Sequence, residues 1–235
     1  MPENKRWSVF IDLDNTILDF TWAQRRALSR MLSERGVEPT DAVIRRYDEI
    51  NIHCWEQLEE GLMTRDEVLV RRFELLFEEL GLQLSGAEAT RRYEDLLHEG
   101  HRFIPGAEEL LRTLHERHDL YLASNGVGSV QRSRIASAGI GPYFRDIFIS
   151  EQMGFVKPQR EYFEKCFERI PDFDRTRALM VGDSLTSDIR GGLNAGIKTV
   201  WLNYNGKTGR ADIRPDYEIR AISELAPLLD KLSGE

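Results

Sequence analysis

A short apolar run, Val9-Phe10-Ile11, stops on two carboxylates, Asp12 and Asp14, and strand-like sequence does not return until Leu120 to Ala123. Val9 to Ile11 are β-branched or aromatic and too few for a helix, so they read as a buried strand. A single strand cannot bury itself, so its partners must come from far along the chain, and what lies between is an insertion. Side chains alternate along a strand, which puts Asp12 and Asp14 on one face at its end. Two close carboxylates repel unless a cation or a shared proton offsets them. Taken alone, the same residues also describe an ordinary strand end followed by an acidic turn.

The intervening stretch has helical periodicity throughout. Trp22, Leu28, Met31 and Leu32 define a first helix that stops at Gly36. Thr40 and Asp41 open a second, through Val43, Ile44, Tyr47, Ile50, Trp55 and Leu58 to Gly61. Thr64 followed by Glu67 has the spacing of a capping box and opens a third, through Val68, Phe73, Leu76, Phe77 and Leu80 to Gly81. Ser85 followed by Glu88 repeats the device for a fourth, through Tyr93, Leu96 and Leu97 to about Gly100. Four amphipathic helices with short connections predict an antiparallel four-helix bundle. Residues 17–100 hold 11 Arg, no Lys and 18 Asp plus Glu, a composition that sets this stretch apart as a separately built insert.

From Phe103 onward helices alternate with strands. The strand runs are Leu120 to Ala123, Ile147 to Ile149, Ala178 to Val181 and Thr199 to Leu202, with Tyr217 to Ile219 as a short last one. Helical patterns lie between them, the stretch from Ile149 to Lys157 reads as a loop, and Ser223 to Leu232 close the chain. This alternation predicts an α/β fold with a doubly wound parallel, Rossmann-like sheet. The expected domains are a core of residues 1–17 and 101–235 and a helical insert of residues 18–100, with linkers near 17–21 and 98–104.

The totals exclude several classes. A length of 235 residues suits one domain with a large insert. The formal net charge of −8 argues against a nucleic-acid backbone as partner. No apolar run approaches the roughly 20 residues of a membrane span. Lys5 and Arg6 lead directly into the first strand, which leaves no room for a signal peptide, so a cytoplasmic protein is expected. Cys54 and Cys166 match no metal or redox spacing and read as free thiols in a reducing compartment. His53, His98, His101, His115 and His118 share no ligand spacing.

Three further stretches each follow an apolar strand: Ser124-Asn125-Gly126, Lys157-Pro158, and Gly182-Asp183-Ser184-Leu185-Thr186-Ser187-Asp188. Sites in open parallel sheets form at the carboxyl ends of the strands, so all of these converge on one edge. In this order, together with Asp12-Leu13-Asp14-Asn15-Thr16, they resemble the four motifs of the haloacid dehalogenase superfamily, most of whose members are magnesium-dependent phosphatases working through an aspartyl-phosphate. The resemblance implies that Asp12 is the nucleophile and Asp14 the general acid and base. In the superfamily's dehalogenases the second position is not an acid, so Asp14 points to phosphate-ester hydrolysis. Ser124 is then a donor to a phosphate oxygen, and Asn125 and Gly126 turn backbone N–H groups toward the anion at a helix start. Lys157 offsets the charge between ester and nucleophile, and Pro158 keeps it extended. Asp183 is a Mg2+ ligand with the Asp12 carboxylate and the Asp14 main-chain oxygen, while Asp188 binds the metal through water or orients Lys157. Each stretch also has a plainer reading. Ser124-Asn125-Gly126 makes a strand-to-helix turn, and Lys157 is a type usually found on the surface. Asp188 suits a helix N-terminus. Asn15 and Thr16 suit a turn, which Thr16 can also hold by hydrogen bonding.

One branch is similar in more places. The pyrimidine-nucleotide 5′-nucleotidases of the superfamily carry a cap pattern resembling Asn51, Trp55, Gly61, Thr64, Arg72 and Phe73, and also resemble this chain at Asn125-Gly126 and Trp201-Leu202-Asn203. Where they usually have Thr, this chain has Ser124, another hydroxyl donor. The resemblance implies a small-molecule phosphate ester as substrate, with pyrimidine nucleoside monophosphates first. Asn51 and Trp55 share a helical face, where an amide beside an aromatic plane suits a base, and Trp55 also fits a bundle core. Sugar phosphates and phosphoglycolate are alternative substrates. A β-phosphoglucomutase-like mutase shares the motifs, and a binding protein without turnover is a rival that the intact Asp12, Asp14, Lys157 and Asp183 oppose.

Overall fold

The computed structural model describes residues 6–234, so residues 1–5 of the expected core segment, Lys5 among them, and Glu235 lie outside it. The chain divides into two compact units, one built from the chain up to Phe20 and from His101 onward, the other from Thr21–Gly100. The first holds one sheet of β1 (Ser8–Ile11), β2 (Asp119–Ser124), β3 (Asp146–Ile149), β4 (Ala178–Gly182), β5 (Lys198–Leu202) and β6 (Tyr217–Ile219). All pairings are parallel and the order is β3-β2-β1-β4-β5-β6, the doubly wound α/β sheet expected from the strand spacing. The first strand lies near the middle, with Ile11 opposite Leu122 on one side and Val181 on the other. Asp12, Ala123 and Gly182 therefore come level at the same edge.

The second unit is built on α1 (Phe20–Ser33), α2 (Asp41–Glu59), α3 (Arg65–Glu79) and α4 (Gly86–Leu97). Polar side chains start three of these where the spacing predicts. Thr40 accepts the Val43 N–H, and Ser85 accepts the Glu88 N–H at 3.3 Å. Thr64 and Glu67 close a reciprocal capping box. The centre is aromatic, with ring centroids of Tyr47 and Phe73 5.2 Å apart and those of Phe73 and Tyr93 5.4 Å apart. Such pairs stabilise by about 0.5–1.5 kcal/mol beyond the area they bury.

In the sheet-bearing unit, α5 (Ala107–Leu114), α6 (Gly128–Ala138), α7 (Ser150–Met153), α8 (Arg160–Phe167), α9 (Arg190–Ala195) and α10 (Leu225–Gly234) complete the fold. Strand alternation sorts the core into two layers. Val9, Ile11, Leu120, Leu122, Leu179 and Val181 pack with α5 and α10, while Phe10, Tyr121, Ala123 and Met180 pack with α8. A sheet buried on both faces explains why its strands read as continuous apolar runs. The one-turn α7 occupies part of the stretch expected to be loop, being too short to show a period. No helix among the described residues is long and apolar enough to cross a membrane.

One buried histidine links β2 to the residue before β1. The Trp7 N–H donates to His118 Nδ1 at 3.4 Å, and Asp119 N–H donates to Trp7 O at 3.0 Å. Burial, followed by the charges of Arg117 and Arg6, lowers the His118 pKa from 6.5 to about 4. The unfolded chain therefore takes up a proton that the folded chain excludes, and stability present above pH 6.5 is lost as the pH falls toward 4. Thermal denaturation across this window is expected to show Tm falling more steeply for the parent than for His118→Asn, whose amide oxygen accepts the Trp7 N–H at any pH.

Candidate active site

The turn after β1 is set by its own backbone. Asp12 N–H bonds Val181 O at 2.9 Å, Asn15 N–H bonds Leu18 O at 2.7 Å, and the N–H groups of Ile17 and Leu18 share Leu13 O at 3.0 and 2.9 Å. Asn15 takes a left-handed φ of 58°, a conformation asparagine tolerates better than most residues. Thr16 differs from expectation. Its hydroxyl is buried with no hydrogen-bond partner among the described residues, so main-chain bonds hold the loop.

Lys157 sits at the centre. Its Nζ donates to Asp12 Oδ1 at 2.7 Å, Asp188 Oδ1 at 2.6 Å and Ala123 O at 2.7 Å, which uses all three ammonium protons. Burial alone would lower the Lys157 pKa, but Asp12 and Asp188 outweigh it and hold it above the ordinary lysine value. Burial pushes the Asp12 carboxyl up, Lys157 draws it back, and Asp188, Asp14 and Asp183 add to the push. The second Asp188 oxygen accepts the Ser184 N–H at 3.1 Å, within a π-helical turn over Leu185–Ile189. That turn presses Asp188 onto Gly182, where a Cβ would overlap the carboxylate.

Asp183 is the least compensated acid. Burial, followed by repulsion from Asp188, pushes its carboxyl up to about 7. None of the described residues donates a hydrogen bond to it, and the Lys207 ammonium stands 3.9 Å away. Its main-chain oxygen is fixed by Trp201 Nε1 at 3.0 Å. Asp12, Asp183 and Asp188 each bring a carboxylate oxygen within 4.8 Å of the others. An all-oxygen set with more negative charge than one ammonium neutralises fits a hard divalent cation.

The residues after β2 are each fixed by side-chain bonds. Ser124 Oγ accepts from Gly126 N at 3.1 Å and Gln131 Nε2 at 2.7 Å, leaving its own proton to donate. The Asn125 side chain, to which the sequence assigns no role, grips the Lys157 main chain, with Nδ2 to O at 2.8 Å and Oδ1 from N at 2.9 Å. Gly126 leaves room for Gln131, whose side chain a Cβ would strike. The Asp14 carboxylate is tied to α6, accepting from Gln131 Nε2 at 2.6 Å and from Arg134 Nη1. Sequence reasoning passed over Gln131 and Arg134. Their signal was present: two polar residues one helical turn apart, on a face that also carries Val130 and Ile135.

Asn51 and Trp55 belong to the helical unit. Asn51 Oδ1 accepts from Trp55 Nε1 at 3.1 Å and Arg72 Nη1 at 3.0 Å, and Nδ2 donates to Gln24 Oε1 at 3.2 Å. Asn51 is thus a buried hub whose oxygen already takes two donors, rather than an open amide beside an aromatic plane.

The fold and this cluster define a hydrolase class, and comparison with known proteins gives its family. Residues 8–196 match the model of the haloacid dehalogenase-like hydrolases, and the chain belongs to that family. It is 43% identical to the HAD-hydrolase YfnB of Bacillus subtilis over 95% of both chains. The magnesium-bound structure of that protein superposes with a TM-score of 0.91 over 96% of this chain and 100% of the other. Identity is 38% to the pyrimidine 5′-nucleotidase PynA of Streptococcus pneumoniae, over 95% of this chain and 94% of that one. It is 31% to the pyrimidine 5′-nucleotidase YjjG of Escherichia coli, over 96% and 99%.

The close approach at Gly182 generates a test. Gly182→Ala is expected to displace Asp188 from Lys157, destabilise the fold by about 1–3 kcal/mol through overpacking and reduce turnover. Denaturant unfolding alongside steady-state rates checks both effects.

Proposed function

We propose that this protein is a magnesium-dependent phosphomonoesterase that forms an aspartyl-phosphate on Asp12 and acts on pyrimidine nucleoside monophosphates. The observation that carries the reading is the buried Lys157 ammonium bound to Asp12 and Asp188, with Asp183 the least compensated acid beside them. Its free thiols Cys54 and Cys166 suit the cytoplasm, where nucleoside monophosphates are found.

Asp12 attacks phosphorus, and the ester oxygen leaves with a proton from Asp14. Lys157 offsets the repulsion between the dianionic ester and the nucleophile. The Ser124 hydroxyl donates to a phosphate oxygen. Asp14 then takes a proton from the water that releases phosphate. Asp12 and Asp183, with the Asp14 main-chain oxygen, would hold the Mg2+, and Asp188 braces Lys157. When bound, the ion supplies positive charge against the charge that develops on the phosphoryl group.

This machinery treats all phosphate esters alike, so selection among leaving groups falls to the helical unit. The nucleotide preference rests on the two pyrimidine 5′-nucleotidase relatives and on Trp55, whose indole the Asn51 bond orients. A mutase needs its phosphoenzyme protected from water, so rapid hydrolysis of an aryl phosphate separates the two readings.

Two outcomes are expected. Asp12→Asn should lower turnover of p-nitrophenyl phosphate by about a thousandfold or more with the fold intact by circular dichroism, and EDTA should abolish the parent's activity. Parent-like rates in Asp12→Asn, or activity indifferent to EDTA, would sink the mechanism. Across a panel of esters, kcat/KM should be highest for pyrimidine nucleoside monophosphates. Equal values for sugar phosphates would remove the nucleotidase assignment alone.

A further inference from the structure

Arg134 is 1% exposed, so its guanidinium lies within the core. Among the described residues, Asp14 is the carboxylate with which it forms an ion pair. Its Nη1 also donates to Gln131 Oε1 at 3.0 Å, and its guanidinium lies 5.2 Å over the Phe20 ring. Gln131, also 1% exposed, spends its amide nitrogen on Asp14 Oδ2 at 2.6 Å and Ser124 Oγ at 2.7 Å. One turn of α6 thus claims both Asp14 oxygens, Oδ1 through Arg134 and Oδ2 through Gln131. Gln131 also joins that carboxylate to the hydroxyl on β2. A buried guanidinium is a poor choice for packing alone, because desolvation disfavours it wherever its partner can move away.

We propose that Arg134 and Gln131 are positioning residues that fix the Asp14 side chain for the second half of the reaction, hydrolysis of phosphorylated Asp12. The inference rests on the phosphatase reading above. In that step a water oxygen bonds to phosphorus while the bond from phosphorus to the Asp12 oxygen breaks. The bonding pair returns to the Asp12 carboxylate, phosphate leaves, and the proton lost by water goes to Asp14. A carboxylate fixed by two N–H donors keeps its remaining lone pairs aimed and ready to accept. In the first half Asp14 donates a proton to the leaving oxygen, so a leaving group that needs no proton makes no demand on its placement. With such an ester the two positioning residues bear on the water step alone.

A leaving group that needs no proton isolates the effect. With p-nitrophenyl phosphate and saturating Mg2+, kcat/KM reports steps up to aspartyl transfer, and kcat includes the water step. Arg134→Met is expected to lower kcat by about tenfold or more while kcat/KM changes by less than about threefold. Rapid mixing should show a burst of nitrophenolate approaching one per enzyme, absent from the parent. Arg134→Lys should recover part of kcat, and Gln131→Met should show the same split to a smaller degree. Parallel losses in kcat and kcat/KM without a burst, or no loss of kcat, overturn the proposal. Circular dichroism establishes folding, and if Arg134→Met does not fold, Arg134→Lys and Gln131→Met decide. A parent that fails to hydrolyse the ester, or an active Asp12→Asn, strikes the phosphatase reading instead, so the two failures are distinguishable.

Discussion

The Lys157 ammonium is the interaction on which the sheet edge depends. It joins the end of β1 through Asp12, the end of β2 through Ala123 O and the turn after β4 through Asp188. Asp12, Asp183 and Asp188 crowd there, and the ammonium offsets part of the repulsion between them. A buried charge pair repays desolvation only when every proton and lone pair is used well. Lys157 meets that condition, with three donors on three acceptors. Its main chain is held as firmly, since Asn125 grips it at both N–H and C=O.

What delivers these groups is register together with two close approaches. Parallel pairing of Ile11 with Leu122 and Val181 brings Asp12, Ala123 and Gly182 level. Gly182 then lets the π-helical turn fold back so that Asp188 reaches Lys157, and Gly126 lets Gln131 cross to Asp14. A side chain at either glycine would occupy the space of a functional group. In both places the absence of a Cβ acts on charge placement rather than on backbone freedom.

The sheet was legible in the sequence because strands buried on both faces are continuous apolar runs, and even the three-residue β6 stood out between polar neighbours. The acids and Lys157 were legible from order alone, each following a strand. What escaped was anything decided by a side chain's second partner. Asn125 was read for its backbone N–H alone, and nothing local reveals that its side-chain amide turns to residue 157. Gln131 and Arg134 hid inside a helix, between the apolar Val130 and Ile135. Asn51 paired with Trp55 at the expected four-residue spacing, but Arg72 and Gln24 complete its surroundings, and neither is near it in sequence. Periodicity locates faces, whereas hydrogen-bond saturation depends on contacts between elements.

The choice of arginine throughout the helical unit also has a structural reason. Arg46 grips Glu79 through Nε and Nη2, both at 2.6 Å, joining α2 to α3. Arg92 grips Glu34 in the same manner, both at 2.7 Å, joining α4 to the end of α1. Each is a planar fork on a planar carboxylate, a geometry an ammonium cannot reproduce. These pairs are exposed, and exposed pairs contribute little to stability, so their value is angular: they fix how neighbouring helices are turned. Arg72 extends the logic inward, with its guanidinium 5.1 Å from the Phe73 ring and 5.0 Å from the Tyr93 ring while Nη1 serves Asn51. The rings accommodate the charge that a carboxylate would otherwise balance. The same helical turn thereby orients Asn51 and, through it, Trp55. Arg46, Arg92 and Arg72 thus each use a planar fork that lysine lacks, two of them at exposed seams between helices and one at the aromatic centre.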